Sequence, residues 1–139
     1  MESLYAMCVA RQIERVAPLR APIDGAAPRS ARIDALVAQR SRLYERIAPV
    51  RRATLVVAPG SPVLRRALAE TAAEHRREVA ALFAHELPAP TRRERLAALE
   101  VATCFDTWDH LRRAQGLSAA AAVRVLGRLA RGAVEGDDA

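Results

Sequence analysis

The spacing of apolar residues along the chain predicts a protein built from helices. Apolar side chains recur every three or four residues from Ser3 to Val16, and again between Ser30 and Pro49. A third periodic segment begins at Ser61-Pro62, where a capping serine followed by proline is typical of a helix start, and it continues to about Leu87. Long alternation of β-branched and polar residues is missing, so we predict an all-α bundle of five to six helices.

Prolines and glycines predict the connections between these helices. Leu19–Arg29 is rich in proline and predicts a loop, after which Ser30 is the expected N-cap of the second helix. We expect Pro49 to end that helix. Val50–Ala58 then predicts one or two separate helical turns, although its residue types would also suit a strand.

The segment Thr91–Ala133 predicts a helical hairpin around which the rest of the chain is organised. Thr91 and Glu94 match a capping box that starts a helix running to about Ala114. Gly116 fits a left-handed cap, and the last helix begins at Leu117-Ser118. The alanine-rich faces exceed what a single chain of this size can cover, so we expect two copies to form an intermolecular four-helix bundle.

Composition narrows the class of protein. The chain has 139 residues, of which 51% are hydrophobic, as expected for a single domain over residues 1–139. Its net charge is +6 and its 22 basic residues are all arginine. Because these arginines alternate with acidic residues along the helices, we interpret them as solvated helix faces rather than as a nucleic-acid-binding surface.

The cysteines and the hydropathy pattern indicate the cellular compartment in which we expect the protein. Cys8 and Cys104 are far apart and lack a CxxC spacing, which predicts two buried, reduced thiols in a cytoplasmic protein. A signal peptide is not evident, and neither is an apolar run long enough for a membrane span, so we expect no membrane partner.

Two segments and the order of the helices resemble the C-terminal regulatory domain of TetR/AcrR-type transcriptional repressors. The segments are Gln39–Ala53 (QRSRLYERIAPVRRA) and Phe105–Ser118 (FDTWDHLRRAQGLS), the second followed directly by an alanine-rich helix. The resemblance covers nearly the whole chain, from about Ser3 to Ala133. Its run from Trp108 to Ser118 is moderately specific and contains no catalytic signature.

The resemblance implies a domain that senses a small molecule and forms a homodimer. In this family the last two helices form the dimer interface, and the helices before them enclose a mostly apolar pocket. Effector binding changes the spacing of two DNA-reading heads and releases the operator. That three-helix head would precede Met1, so we expect these residues to contact DNA only through a helix-turn-helix that they do not contain.

Candidate pocket residues are polar or aromatic side chains inside otherwise apolar stripes: Arg40, Tyr44, Thr71, His75, Phe105 and Trp108. Arg40 could hold a carboxylate or carbonyl of the effector, and His75 could donate to it or accept from it. The alternative is structural. Arg40 would pair with Asp106, with Asp109 or with a helix end, or extend to solvent, while His75 and Trp108 would belong to the core.

The predicted dimer interface consists of apolar positions on the hairpin: Leu99, Leu111, Val123, Leu126, Leu129, Ala130 and Ala133. We expect neither a cofactor nor a metal site, because the three histidines are not spaced as ligands. Phosphate-binding and nucleophile motifs are also missing, which argues against an enzyme. Three other interpretations stay open: a module that heterodimerises with an intact paralogue, a simple ligand-binding protein, and a small helical enzyme or carrier.

Overall fold

Helices make up the regular secondary structure of the protein. The computed structural model describes residues 2–136, with side chains from Leu4 onward. Within that range it contains six α-helices and no strand, which confirms the all-α prediction. Their bounds are α1 Glu2–Val16, α2 Arg29–Val57, α3 Pro62–Phe83, α4 Arg92–Ala102, α5 Phe105–Asp109 and α6 Ala119–Glu135. Short 3₁₀ turns follow α1, α2 and α3, and α5 continues as a π-helical turn over His110–Ala114.

The long helix α2 is the centre of the bundle. It packs against α1, α3, α5 and α6, while α4 lies against α3 and α6. Because α2 has neighbours on several sides, its buried residues are not confined to one stripe. Ile33, Leu36 and Val37 are almost fully buried there, together with Leu99 and Leu126 from the hairpin.

The predicted boundaries of α2 are wrong at both ends. The helix begins at Arg29 without a side-chain cap, so Ser30 lies in its first turn. It also continues through Pro49 to Val57, although an internal proline costs about 3 kcal/mol. Pro49 itself is exposed, whereas Thr54 in the next turns is buried. We attribute the continuation to that packing, which outweighs the loss of one main-chain hydrogen bond.

The start of α3 agrees with the sequence prediction. The Ser61 hydroxyl accepts a hydrogen bond from the Leu64 amide at 3.2 Å, which confirms the N-cap. The α-helix ends at Phe83, earlier than predicted, and a 3₁₀ turn over Ala84–Glu86 leads to Leu87.

The first helix of the hairpin is interrupted, contrary to the prediction of one helix from Thr91 to Ala114. The interruption lies at Thr103 and Cys104, between α4 and α5. The Thr103 carbonyl accepts a hydrogen bond from the Tyr44 hydroxyl of α2 at 2.6 Å. The Thr103 hydroxyl meanwhile donates to the Leu99 carbonyl at 2.8 Å. Contacts with α2 therefore stabilise the break, and local sequence does not reveal them.

The predicted caps of the hairpin differ in outcome. Thr91 makes no side-chain cap, so the capping-box prediction is wrong. Gly116 has a φ of 67°, which confirms the left-handed cap that favours glycine. The Ser118 hydroxyl then accepts from the Ala121 amide at 3.1 Å and starts α6.

Much of the predicted dimer interface is instead the core of a single chain. Leu99, Leu111, Leu126 and Ala130 are buried between α6 and the helices beside it. The prediction that these four residues face a second copy is therefore wrong, because they have almost no surface to offer. Val123 and Ala133 are half-buried, and Leu129 is 46% exposed.

The cysteine prediction is also corrected. Cys8 is exposed on α1 and Cys104 is half-buried at the α4–α5 break, so neither thiol is fully buried. Each of the helices formed by residues 2–136 is too short or too polar to cross a lipid bilayer.

Candidate functional site: a cavity between α2 and α3

A cavity of about 350 Å³ lies along the facing sides of α2 and α3. The two helices are antiparallel, since Arg40 pairs with Glu78 and Arg32 with Glu86. Residues of α1 and the α4–α5 break complete the wall. The volume falls within the range of about 300–1,000 Å³ that is usual for small-molecule sites.

The cavity brings together five of the six residues that the sequence assigned to a pocket: Arg40, Tyr44, Thr71, His75 and Phe105. Trp108 lies elsewhere, buried on another side of α2, beside an open depression that Leu19 and Val123 also line. The apolar part of the cavity wall includes Ile47 and Leu68.

An ion-pair network around the buried Arg40 borders the cavity. Arg40 is only 2% exposed and pairs with one carboxylate oxygen of Glu78. Arg20 bonds the other oxygen at 2.6 Å and also reaches Glu74 at 3.2 Å. Burial of Glu78 favours its protonated form, but the two arginines outweigh this effect and lower the pKa of the carboxyl.

The network settles how Arg40 is paired within the chain. Its partner is Glu78 of α3 rather than Asp106 or Asp109, and it does not extend to solvent. Sequence reasoning missed Arg20, Glu74 and Glu78. The only available signal was the spacing of Glu74 and Glu78, which lie one turn apart beside His75.

Glu78→Gln is expected to destabilise the fold by about 2 kcal/mol, because it leaves the buried Arg40 without its carboxylate. A fully buried pair would lose more, but the Glu78 side chain is 37% exposed and solvent screens part of the effect. Urea unfolding measures the difference. The matched control is Glu70→Gln, at an exposed position on the same helix. Equal midpoints for the two variants would contradict a role of Glu78 in compensating Arg40.

His75 lies beside this network and is neutral. The ring is 7% exposed, and burial followed by the nearby Arg40 cation lowers its pKa to about 4. Its Nε2 lies 3.1 Å from the Thr103 hydroxyl oxygen. Because that hydroxyl already donates to the Leu99 carbonyl, it accepts from His75, which places the proton on Nε2. Nδ1 therefore carries a lone pair.

Aromatic groups and a second arginine occupy another part of the wall. The Tyr44 and Phe105 rings meet edge to face, with centroids 5.6 Å apart. Burial raises the pKa of the Tyr44 phenol, which stays a hydrogen-bond donor. The Arg51 guanidinium lies 5.5 Å from the centroid of Phe105, and burial lowers its pKa. The Thr71 hydroxyl donates to the Ala67 carbonyl at 3.0 Å, so towards any other group it can act only as a hydrogen-bond acceptor.

The cavity as a whole combines an apolar wall with a few charged side chains. Its lining carries charges of both signs: the cations of Arg20, Arg40 and Arg51, and the carboxylates of Glu74, Glu100 and Asp106. In the part of the chain that the structure describes, no three His, Cys, Asp or Glu side chains converge on a possible metal position. Apolar walls with a few fixed polar groups are typical of sites that hold a small organic molecule.

Comparisons with protein-family models, with curated proteins and with solved structures found no match to this chain. Its function is therefore inferred from its own residues and their geometry.

Proposed function

We propose that the chain is the effector-binding and dimerising body of a TetR/AcrR-type transcription regulator. The cavity between α2 and α3 carries the proposal, because its size and apolar wall suit a small organic effector. The segment Gln39–Ala53, on which the family resemblance partly rests, supplies one side of that wall. DNA recognition in this proposal belongs to a separate helix-turn-helix head and not to the six helices described.

The position of the cavity supports a sensing role. Tyr44 and His75 both line it, and both bond Thr103 at the break that leads from α4 into α5. A ligand that moves either side chain therefore acts on the hairpin. Val9 and Ile13 place α1 in the wall as well, so the same ligand also contacts the helix that joins body to head in this family. One bound molecule can thus bias two elements that a regulator needs to couple.

A small apolar probe tests the proposal. Indole is expected to shift the methyl resonances of Ile47 and Leu68, which line the cavity, and to raise the unfolding midpoint. At one hundred times its Kd the probe would add about 2.7 kcal/mol of stability. Leu68→Trp is expected to fill the cavity and remove both effects.

The control is Val56→Trp, at a position that is 81% exposed and outside the cavity. It should bind indole like the unmodified chain. If indole leaves the cavity methyls unshifted, or binds Leu68→Trp equally well, the cavity is not the ligand site.

The dimer in this proposal keeps Leu129 from the predicted interface but replaces the buried residues of that interface with exposed ones. Val101 of α4 is 59% exposed and Leu129 of α6 is 46% exposed. Arg95 of α4 donates to the Val134 carbonyl at 3.0 Å, so the two helices are antiparallel and bring both residues to a similar level. We define the outer hairpin face as Ala97, Ala98, Val101, Val125 and Leu129. These residues are exposed or half-buried and all apolar, as an interface between two copies requires.

Leu129→Arg is expected to convert the dimer to a monomer while the helix content stays unchanged. A charge at the centre of an apolar interface costs several kcal/mol, which raises the dimer Kd by about 100-fold or more. Sedimentation equilibrium measures it. Val56→Arg, at an exposed apolar position outside the outer hairpin face, is the control and should remain dimeric. A Leu129→Arg chain that dimerises normally would rule out this face.

A further inference from the structure

Arg51 is a cation in the cavity wall that has no carboxylate partner in the part of the chain that the structure describes. The ion pairs and side-chain hydrogen bonds of residues 4–136 do not include its guanidinium. The guanidinium instead lies over the Phe105 ring, 5.5 Å from its centroid. The ring stabilises the positive charge but offers no oxygen acceptor to the N–H groups. These donors therefore remain available to another molecule.

The nitrogens of this guanidinium are also accessible. Arg51 is half-buried, and none of its nitrogens is among the buried atoms that lack a hydrogen-bond partner in the described residues. Arg51 and the Phe105 ring beneath it both line the cavity, so a molecule held there can reach the guanidinium. Arg40 differs in both respects, because it is only 2% exposed and its charge is paired with Glu78.

The charge of Arg51 is separate from the ion-pair network around Arg40. Arg40 and Arg20 share the two carboxylate oxygens of Glu78, and Arg20 also binds Glu74, so these four charges compensate one another. Arg51 lies about three turns after Arg40 on α2, roughly 16 Å along the helix axis. That separation exceeds the screening length of about 8 Å in physiological salt. The network therefore does not compensate Arg51.

The two remaining carboxylates of the lining do not pair with Arg51 either. Burial lowers the pKa of Arg51, and the nearby Asp106 offsets this only in part. Asp106 is exposed, so water screens its charge, and Glu100 lies on α4 near His75. A ligand anion in hydrogen-bonding contact with the guanidinium is closer to it than Asp106 is. Its attraction to Arg51 therefore exceeds its repulsion by Asp106.

We propose that the cavity binds an organic monocarboxylate whose carboxylate is held by Arg51. This inference deepens the proposed function and rests on the cavity being the ligand site. A guanidinium presents parallel N–H donors that match the two oxygens of a carboxylate. One unpaired cation favours a single negative charge over a phosphate dianion, which Asp106 would repel more strongly. The apolar body of the ligand contacts Ile47, Leu68 and Phe105.

Three probes with the same indole ring separate the effect of charge from that of shape. Indole-3-acetate carries the carboxylate, methyl indole-3-acetate masks it as an ester, and tryptamine replaces it with an ammonium group. Calorimetry with the full chain is expected to show that the acid binds about tenfold more tightly than the ester. The amine should bind more weakly than the ester. The side-chain ¹⁵N resonances of Arg51 should shift with the acid and stay in place with the ester.

The variant Arg51→Met removes the cation and keeps a long, flexible side chain. In it the advantage of the acid over the ester is expected to vanish. Arg66→Met is the matched control, because it removes the same charge from an exposed position of α3 outside the cavity and should keep that advantage. The comparison of the three probes on the unmodified chain needs no variant, so the test holds even if Arg51→Met folds poorly.

The outcomes for this inference and for the proposed function are distinct. The carboxylate inference is overturned if acid and ester bind equally well, if the advantage of the acid survives in Arg51→Met, or if the acid binds without shifting the methyls of Ile47 and Leu68. The proposed function stands in each of these cases as long as indole shifts those methyls. If no probe, including indole, shifts them, both fail.

Discussion

Leu126→Arg is expected to unfold the bundle rather than to separate two copies of it. Leu126 has no exposed surface and belongs to the core cluster that α6 forms with α2 and α4. Truncating a buried leucine costs about 2–5 kcal/mol, and burying an unpaired charge adds more. The sum approaches the total stability of a typical domain, about 5–15 kcal/mol. Far-ultraviolet circular dichroism should therefore show loss of helix at room temperature.

The matched comparison for this variant is Leu129→Arg, three residues further along α6. It places the same charge at an exposed position and should keep the helical signal. A Leu126→Arg chain that is folded and monomeric would contradict the packing of α6 within the single chain. It would return the dimer interface to the face that the sequence had predicted.

Acidification is expected to remove about 3 kcal/mol of stability between pH 7 and pH 4, through His75. The folded state holds the pKa of this ring at about 4, whereas an unfolded histidine has a pKa of about 6.5. As the pH falls through this window, His75 takes up a proton in the unfolded chain but stays neutral in the folded chain. The stabilisation is thus complete above pH ~6.5 and lost progressively towards pH ~4. Urea unfolding at several pH values measures it.

His75→Gln is expected to flatten this profile between pH 7 and 5, because it removes the ring that the folded chain keeps neutral. About 2 kcal/mol of the effect lies in that narrower window, where most carboxylates stay ionised. A wild-type chain with constant stability from pH 7 to 5 would show that His75 is not held neutral by the fold.

The helices could be predicted from the sequence, but the continuity of α2 through Pro49 and the break at Thr103 could not. Apolar spacing identifies an amphipathic helix because the signal is local. Pro49 and Thr103 show where this signal fails. The helix α2 continues past Pro49, and we attribute this to the buried turns that follow. The helix α4 instead breaks at Thr103, where the Tyr44 hydroxyl donates a hydrogen bond to the Thr103 carbonyl. Both outcomes depend on contacts between helices, which no local pattern contains.

The candidate site could be predicted in part for a related reason. A polar residue inside an apolar stripe must face the interior, so Arg40 and His75 could be named from spacing alone. Their partners could not. Glu78 was not singled out, and only the packing of α3 against α2 places it beside Arg40. Likewise, alanine-rich stripes identify faces that pack, but not whether α6 packs against its own chain or against another.

The measurement that bears most directly on the proposed sensing role is the position of a bound probe. Isotope-filtered nuclear Overhauser spectroscopy on the full chain with indole detects which methyl groups lie close to the ligand. We expect contacts to Ile47 and Leu68, which line the cavity, and none to the exposed Val56. Contacts confined to Leu19 and Val123, beside the second depression, or no contacts at all, would contradict a ligand site between α2 and α3.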